Sequence, residues 1–272
     1  MATNNPDANR LEAIILAAGK GTRMESDLPK VCHPVGGRPM VCAVVDVCLE
    51  AGCDRVVVVV GYKQELVRQA LAQYGDKVVY AVQEEQLGTG HAVMSAVDSY
   101  KDADTANTDI FVLCGDGPLI RTTTLNKLLE LHQTTGAAGT LATSRIDDPS
   151  GYGRIVRDDS GKFARIIEQK NASEDELKLN EVNPSYYCVN AKSMFNTLEK
   201  IKRNELTGEF YITDIFEFML DAKERVEVID AVPPQDILSI NTLEHLAQID
   251  EIYRARQISN CDIKRKEHRH DG

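Results

Sequence analysis

The chain has 272 residues, 43% of them apolar and 27% charged, ordinary proportions for a globular protein long enough to bury a sizeable core. Its 31 basic residues against 42 acidic ones give a formal net charge of −11, which excludes general binding to a nucleic-acid backbone and leaves any phosphate chemistry to a few locally placed cations. No apolar run approaches the roughly 18 residues of a membrane span, and the polar stretch Met1–Arg10 lacks the apolar region of a secretory signal.

In chain order, Met1–Arg10 reads as a disordered lead-in and Leu11–Leu16 as a buried strand, followed by the glycine-bearing turn Ala17–Arg23. Pro39–Ala51 carries a helix signature, with Val41, Val44, Val45 and Cys48 on one stripe. Arg55–Val60, one arginine and five valines, has the pattern of a parallel strand buried on both faces. Gln64–Tyr74 is expected to be helical, Lys77–Val82 extended, His91–Ser99 helical, Asp109–Cys114 a strand and Thr122–Gln133 a helix. This alternation predicts right-handed βαβ units: a Rossmann-like, open, mixed but mostly parallel sheet with helices on both faces.

Beyond about residue 140 the pattern changes. Gly139–Ile146, Arg154–Arg157, Phe163–Glu168 and Glu181–Val189 are short extended pieces around turn signals such as Asp158-Asp159-Ser160-Gly161. They read as antiparallel additions that cover one side of the sheet and help form a small lid. Helices are expected at Lys192–Arg203 and Ile212–Ala222, a strand at Val226–Ile229, an amphipathic helix at Leu243–Ile258 and a charged tail at Asp262–Gly272. With no internal repeat and no long linker, residues 11–241 read as one domain, followed by a C-terminal helix and tail at 242–272.

The seven cysteines, among them Cys114, are odd in number and form no C-x-x-C pair. That argues against a disulfide scaffold or a zinc site and implies a reducing, cytoplasmic setting.

The turn after the first strand lies where open α/β sheets bind ligands. Its glycines let backbone N–H groups approach phosphate oxygens, and Lys20, Arg23 and Lys30 add positive charge. It is not a Walker A loop, and Met24 stands where a dinucleotide fingerprint needs its third glycine. By spacing alone, a turn with solvated lysines fits equally well.

The run Leu16-Ala17-Ala18-Gly19-Lys20-Gly21-Thr22-Arg23-Met24, followed by Ser26-Asp27-Leu28-Pro29-Lys30, resembles the signature of the sugar-nucleotide pyrophosphorylases. The spacing to Pro29-Lys30 is most similar to the N-acetylglucosamine-1-phosphate uridyltransferase (GlmU-type) family. Gln83-Glu84-Glu85-Gln86-Leu87-Gly88-Thr89-Gly90-His91-Ala92, Cys114-Gly115-Asp116, Gly151-Tyr152-Gly153-Arg154-Ile155, Ile166-Ile167-Glu168, Glu181-Val182-Asn183 and Ser239-Ile240-Asn241 continue the resemblance across nearly the whole chain. The run Gly208-Glu209-Phe210-Tyr211-Ile212-Thr213-Asp214-Ile215 also resembles a family motif and reads as structural support.

The resemblance implies a nucleotide-diphospho-sugar transferase fold and uridylyl transfer from UTP to N-acetylglucosamine 1-phosphate, with Mg2+. It implies nucleotide contacts from Leu16, Ala17, Ala18, Gly19, Gln83, Gly88, Thr89 and Gly115, and catalytic cations at Arg23, Lys30 and Lys20. It further implies sugar contacts from Gly153, Glu168 and Asn183, and metal ligation by Asp116 and Asn241. A side-chain amide such as Gln83 pairs with both donor and acceptor edges of a base, and Mg2+ takes one or two carboxylates, filling the rest with water and phosphate. His91 reads as structural. The expected partners are these small molecules, with no nucleic acid and no membrane.

The chain departs from the family at three places: Cys114 where an aromatic is frequent, Gly117 where valine is usual, and Pro184-Ser185 after Asn183 in place of Thr or Ser and then Gly. The last falls at the sugar pocket and bears on sugar identity. A pyrophosphorylase for another sugar or base, and a non-catalytic sugar-nucleotide sensor on the same fold, share these motifs. The hexapeptide-repeat acetyltransferase that usually follows in the family has no counterpart in this sequence, so acetyl transfer is not expected of it.

Overall fold

In the computed structural model, which describes residues 9–240 and 242–267 with side chains to residue 258, the chain enters a sheet at Arg10–Leu16 (β1). A small hairpin, Pro34–Val35 (β2) and Arg38–Pro39 (β3), leads into helix Met40–Glu50 (α1) and strand Arg55–Val60 (β4). Then come Gln64–Leu71 (α2), Val78–Val82 (β5), Thr89–Ala96 (α3), Thr108–Cys114 (β6), Thr122–Thr135 (α4) and Gly139–Arg145 (β7). A β-hairpin, Gly153–Arg157 (β8) and Phe163–Ile167 (β9), precedes Glu181–Asn190 (β10). The chain continues through Ala191–Leu198 (α5), Asp214–Asp221 (α6), Val226–Asp230 (β11) and Leu243–Glu267 (α7).

The described residues form a nine-stranded sheet in the order β11-β7-β10-β6-β1-β4-β5, with β8 paired to β10 and β9 to β8. Along the main path β5, β4, β1 and β6 run parallel, and β11 is parallel to β7. Only β10 runs against its neighbours β6 and β7 on that path.

Successive residues of a strand point to opposite faces, and both faces here are covered. Ala13, Ile15, Val56, Val58, Val60, Phe111 and Leu113 join the core under α1, α2, α4 and α7. Ile14, Val57, Val59, Ile110 and Val112 join the core under α3, α5 and α6. Val56–Val60 are wholly buried, and burying each valine is worth about 1.5–3 kcal/mol. That explains why β4 reads as an unbroken apolar run. Gly136, at φ 61°, ends α4: its N–H and that of Ala137 close on the carbonyls of Gln133 and His132.

Of the four pieces read as antiparallel additions, β8 and β9 are such additions. Gly139–Arg145 and Glu181–Asn190 are instead central strands of the main sheet. Thr140, Thr143 and Ser144 give β7 a polar look while being wholly buried. Their burial is offset in part by hydrogen bonds from Thr143 to Glu181 at 3.0 Å and between Thr140 and His132 at 2.9 Å.

α7 runs beyond Ile258 to Glu267, into the stretch expected to be a charged tail, because no glycine or proline interrupts it. Residues 1–8 of the expected lead-in, residues 268–272 of the tail, and Asn241 lie outside the described residues, whereas β1 already begins at Arg10. α7 is tied to the sheet layer through Asp250, which accepts the N–H of Gly36 at 2.6 Å, and through Asp236. That carboxylate is 1% exposed and holds the guanidinium groups of both Arg121 and Arg256. No described helix is long and apolar enough to cross a membrane.

Candidate active site

The carboxyl ends of β1, β4 and β6 are stitched into one platform by backbone bonds. The carbonyl of Leu16 accepts the N–H of Gly115 at 2.9 Å, Ala17 donates to Val59 at 2.9 Å, and Ala18 accepts from Tyr62 at 3.1 Å. Gly19 and Lys20 stand exposed beyond it, with the Lys20 ammonium 5.3 Å from the centre of the Tyr62 ring. The loop then turns through Gly21 at φ 69°. A β-carbon there would be strained and would stand 2.6 Å from Cβ of Lys30. Thr22–Met24 forms a single 3-10 turn whose Met24 is buried and whose Arg23 is exposed. The residue that breaks the dinucleotide fingerprint is thus the anchor that pins this loop to the core.

Lys30 crosses to Asp116 at the end of β6, and ammonium and carboxylate form an ion pair with both side chains mostly shielded. Asp116 also lines a cavity of about 420 Å³ with Gly153, Glu168, Asn183, Pro184 and Ser185. The three residues expected at the sugar are therefore together. Asn183 pairs with Gly153 across β10 and β8, and a β-carbon on Gly153 would lie 3.5 Å from Oε2 of Glu168. Burial raises the pKa of Glu168, and a hydrogen bond from Thr213 at 3.3 Å opposes the shift. Asn183 is buried and already committed, its Nδ2 donating to the Tyr187 hydroxyl at 2.7 Å and its Oδ1 accepting the Ser185 N–H at 3.1 Å.

Gln83, Gly88 and Thr89, expected at the base, gather around the turn between β5 and α3. Gln83, 4% exposed, donates through Nε2 to the carbonyl of Gly88 at 3.1 Å and lies 3.1 Å from Nδ1 of His91. His91 thereby orients the amide, a role its helix position did not reveal. Gly88 sits at φ 101°, and a β-carbon would meet the Phe210 carbonyl at 2.5 Å. Phe210 donates to Leu87 and accepts from Gly90, both at 2.8 Å, and Thr89 accepts the Ile212 N–H at 3.1 Å. The Gly208–Ile215 run thus braces the base-side turn. At the opposite end it offers Thr213 to Glu168, so it links the residues expected at the base to those expected at the sugar.

Ile237, Leu238, His245, Gln248 and Ile249 line the cavity without belonging to any of the motifs. Ile237, Leu238 and Ser239 form one wall of the cavity, and His245, Gln248 and Ile249 reach it from α7. The wall is fixed by Tyr152, whose hydroxyl donates to Ile237 at 3.0 Å, and by Tyr186, which donates to Asp236 at 3.1 Å. Cys114 also lines it, its thiol pushed up to about 12 by burial and by Asp116. Beneath the β8–β9 hairpin, Arg154 is 2% exposed and ties Tyr152, Gln169 and Leu177 together.

The donor set suits a hard divalent cation. Asp116 supplies a carboxylate facing the cavity, and the Lys30 ammonium already rests against it as a cation. Among the described residues no cluster of three or more His, Cys, Asp or Glu side chains could hold a metal alone. A single carboxylate whose ion is completed by substrate phosphates and water is compatible with Mg2+. Ile240 donates its N–H to the Asp116 carbonyl at 3.3 Å, while Asn241, the second expected ligand, is outside the described residues.

Residues 13–216 match the family model described as MobA-like NTP transferase domain. The chain is 42% identical over 248 residues to the bifunctional protein GlmU of Syntrophomonas wolfei, covering 91% of this chain and 54% of that protein. It is 40% identical over 249 residues to the bifunctional protein GlmU of Desulfotalea psychrophila, covering 92% and 72%. Against most of the curated relatives it matches, the chain spans about half their length. Among solved structures, apo UDP-glucose pyrophosphorylase superposes with a TM-score of 0.73 at 18% identity, covering 91% of this chain and 99% of that one. The sheet order and the covering helices are therefore those of a shared fold.

Proposed function

Since this chain belongs to the MobA-like NTP transferase domain family and carries a nucleotidyltransferase domain, we propose that it transfers a uridylyl group from UTP to N-acetylglucosamine 1-phosphate. The products are UDP-N-acetylglucosamine and pyrophosphate. The observation that carries this reading is the position of Asp116. It is paired with Lys30 from the glycine loop and lines the cavity that gathers Gly153, Glu168 and Asn183.

A phosphate oxygen of the sugar 1-phosphate attacks the α-phosphorus of UTP, and the bond to the bridging oxygen of pyrophosphate breaks in line. The attacking phosphate is already ionised near neutral pH, so the reaction needs no general base. What it needs is the assembly of two polyanions and stabilisation of the leaving charge, which is positioning and electrostatics.

In this arrangement the backbone from Leu16 to Gly19, with Gly115, cradles the nucleotide phosphates. Gln83, oriented by His91, faces the base beside Gly88 and Thr89. Lys30 exchanges its partner Asp116 for the reacting phosphates, while Arg23, supported by Lys20, takes the departing pyrophosphate. Glu168 accepts sugar hydroxyl hydrogen bonds, and Asn183 and Gly153 complete the sugar face. Asp116 and Asn241 would hold Mg2+, which supplies charge neutralisation at the α-phosphate. The free, mostly buried cysteines among the described residues suit the reducing cytoplasm.

Pyrophosphate release from UTP and N-acetylglucosamine 1-phosphate, with and without Mg2+, tests the proposal. Strong Mg2+-dependent release is expected. Release only with another sugar 1-phosphate would move the substrate and keep the reaction; no release with any sugar or nucleotide would favour a sensor.

A further inference from the structure

The departures from the family pattern at Cys114, Pro184 and Ser185 are 70 residues apart in the chain but adjacent in space. β6 and β10 pair antiparallel, the last matched pair at this end being Leu113 with Tyr186. One residue further, Ser185 comes opposite Cys114. Both line the 420 Å³ cavity, with Pro184 between Ser185 and Asn183.

Ser185 is held at φ 63°, a conformation that glycine adopts freely and that costs an L side chain. The backbone is kept there by the irregularity of β10, whose register against β7 shifts between Val182 and Tyr186, and by the Ser185 N–H donated to Asn183. Residues held in such conformations cluster at functional sites. The Ser185 side chain interacts with the Cys114 thiol and the Tyr187 phenol and lines the cavity beside them. An aromatic ring at position 114 would compete for that space; the small thiol leaves room for it.

We propose that Ser185 is a specificity-determining residue, a fixed wall that limits the size of the sugar 1-phosphate substituent the cavity admits. This rests on the reading of the cavity as the sugar 1-phosphate subsite. Ser185 therefore penalises an N-acylated sugar relative to the same sugar bearing a compact hydroxyl. Removing the wall relaxes that discrimination.

The test compares kcat/KM for N-acetylglucosamine 1-phosphate and glucose 1-phosphate in the unmodified protein, in Ser185→Gly and in Cys114→Ala. In Ser185→Gly the ratio of acylated to unacylated sugar is expected to rise about tenfold, the scale of one small group in a packed pocket. The KM for UTP should stay unchanged. Relief of the left-handed serine should leave the thermal midpoint at or above that of the unmodified protein, so misfolding does not confuse the result. Cys114→Ala should move the ratio the same way by less. An unchanged ratio, or an equal change for both sugars, would overturn the inference while leaving the reaction intact. No turnover of any sugar 1-phosphate by the unmodified protein would overturn the underlying reading and the inference with it.

Discussion

Lys30 and Asp116, 86 residues apart in sequence, are paired beside the cavity that Asp116 lines, so the cation proposed for phosphate rests on the carboxylate proposed for metal. Asp116→Asn weakens the hold on both cations at once. Turnover, measured as pyrophosphate release at saturating Mg2+, is expected to fall by at least about 10²-fold, the scale for losing one transition-state charge stabiliser. Near-normal turnover in this variant would show that Asp116 is not a metal ligand.

Gly21 offers a second handle on the same lysine. Gly21→Ala places a methyl group 2.6 Å from Cβ of Lys30 on a residue at φ 69°. The left-handed backbone alone costs about 1–2 kcal/mol, and Lys30 must move. Both a lower thermal midpoint and slower turnover are expected. A stability loss with unchanged kcat would separate the turn from the placement of the lysine.

His91→Ala removes the ring nitrogen 3.1 Å from the Gln83 amide. Loss of one such bond is worth about 0.5–1.5 kcal/mol. The KM for UTP should rise, by about tenfold at most, with little change in the KM for the sugar 1-phosphate. The opposite pattern would place Gln83 away from the base.

The acidic group around Glu168 makes stability depend on pH. Asp214 is pushed up to about 6 by burial and then by Glu217 and Glu168, and burial raises Glu168 and Glu217 as well. A carboxyl with a raised folded pKa binds its proton more tightly in the folded state. Its contribution is therefore full below the ordinary carboxylate range and is lost as pH rises through the folded value. The thermal midpoint should carry a decline from these groups between about pH 4 and 6. Asp214→Asn should flatten that decline; an unchanged profile would remove Asp214 as its source.

Asp236 is buried against two arginines from α7 and the start of α4. Asp236→Ala leaves both partly exposed guanidinium groups without their carboxylate and should cost about 1–3 kcal/mol in denaturant unfolding. Arg256→Ala should cost less, since Arg121 still neutralises the carboxylate. Equal losses would mean that α7 depends on Arg256 alone.

What the sequence disclosed followed from how local its causes are. β4 was legible because five adjacent valines have no other good use, whereas the glycine loop stood out only through its resemblance to a family motif, since its spacing alone fits a solvated turn equally well. β7 and β10 were misplaced for a physical reason. Buried Thr140, Thr143 and Ser144 imitate a solvated strand, and Pro184 imitates an edge, although the proline sits where the register of β10 shifts. Glu168, Asn183 and Gly153 were found by motif and do converge. His245 and Gln248 reach the cavity from an amphipathic helix whose pattern says only which face is buried. Their part depends on how α7 docks, which is a tertiary fact.

The single reversed strand also sets a condition on biosynthesis. β6 is complete at residue 114 and β7 at residue 145, yet neither can pair with the other, because β10 at residues 181–190 lies between them. A chain still emerging from the ribosome therefore holds an open edge on β6 and a β7 that has no partner until β10 and then β11 follow, each a template for a neighbouring chain.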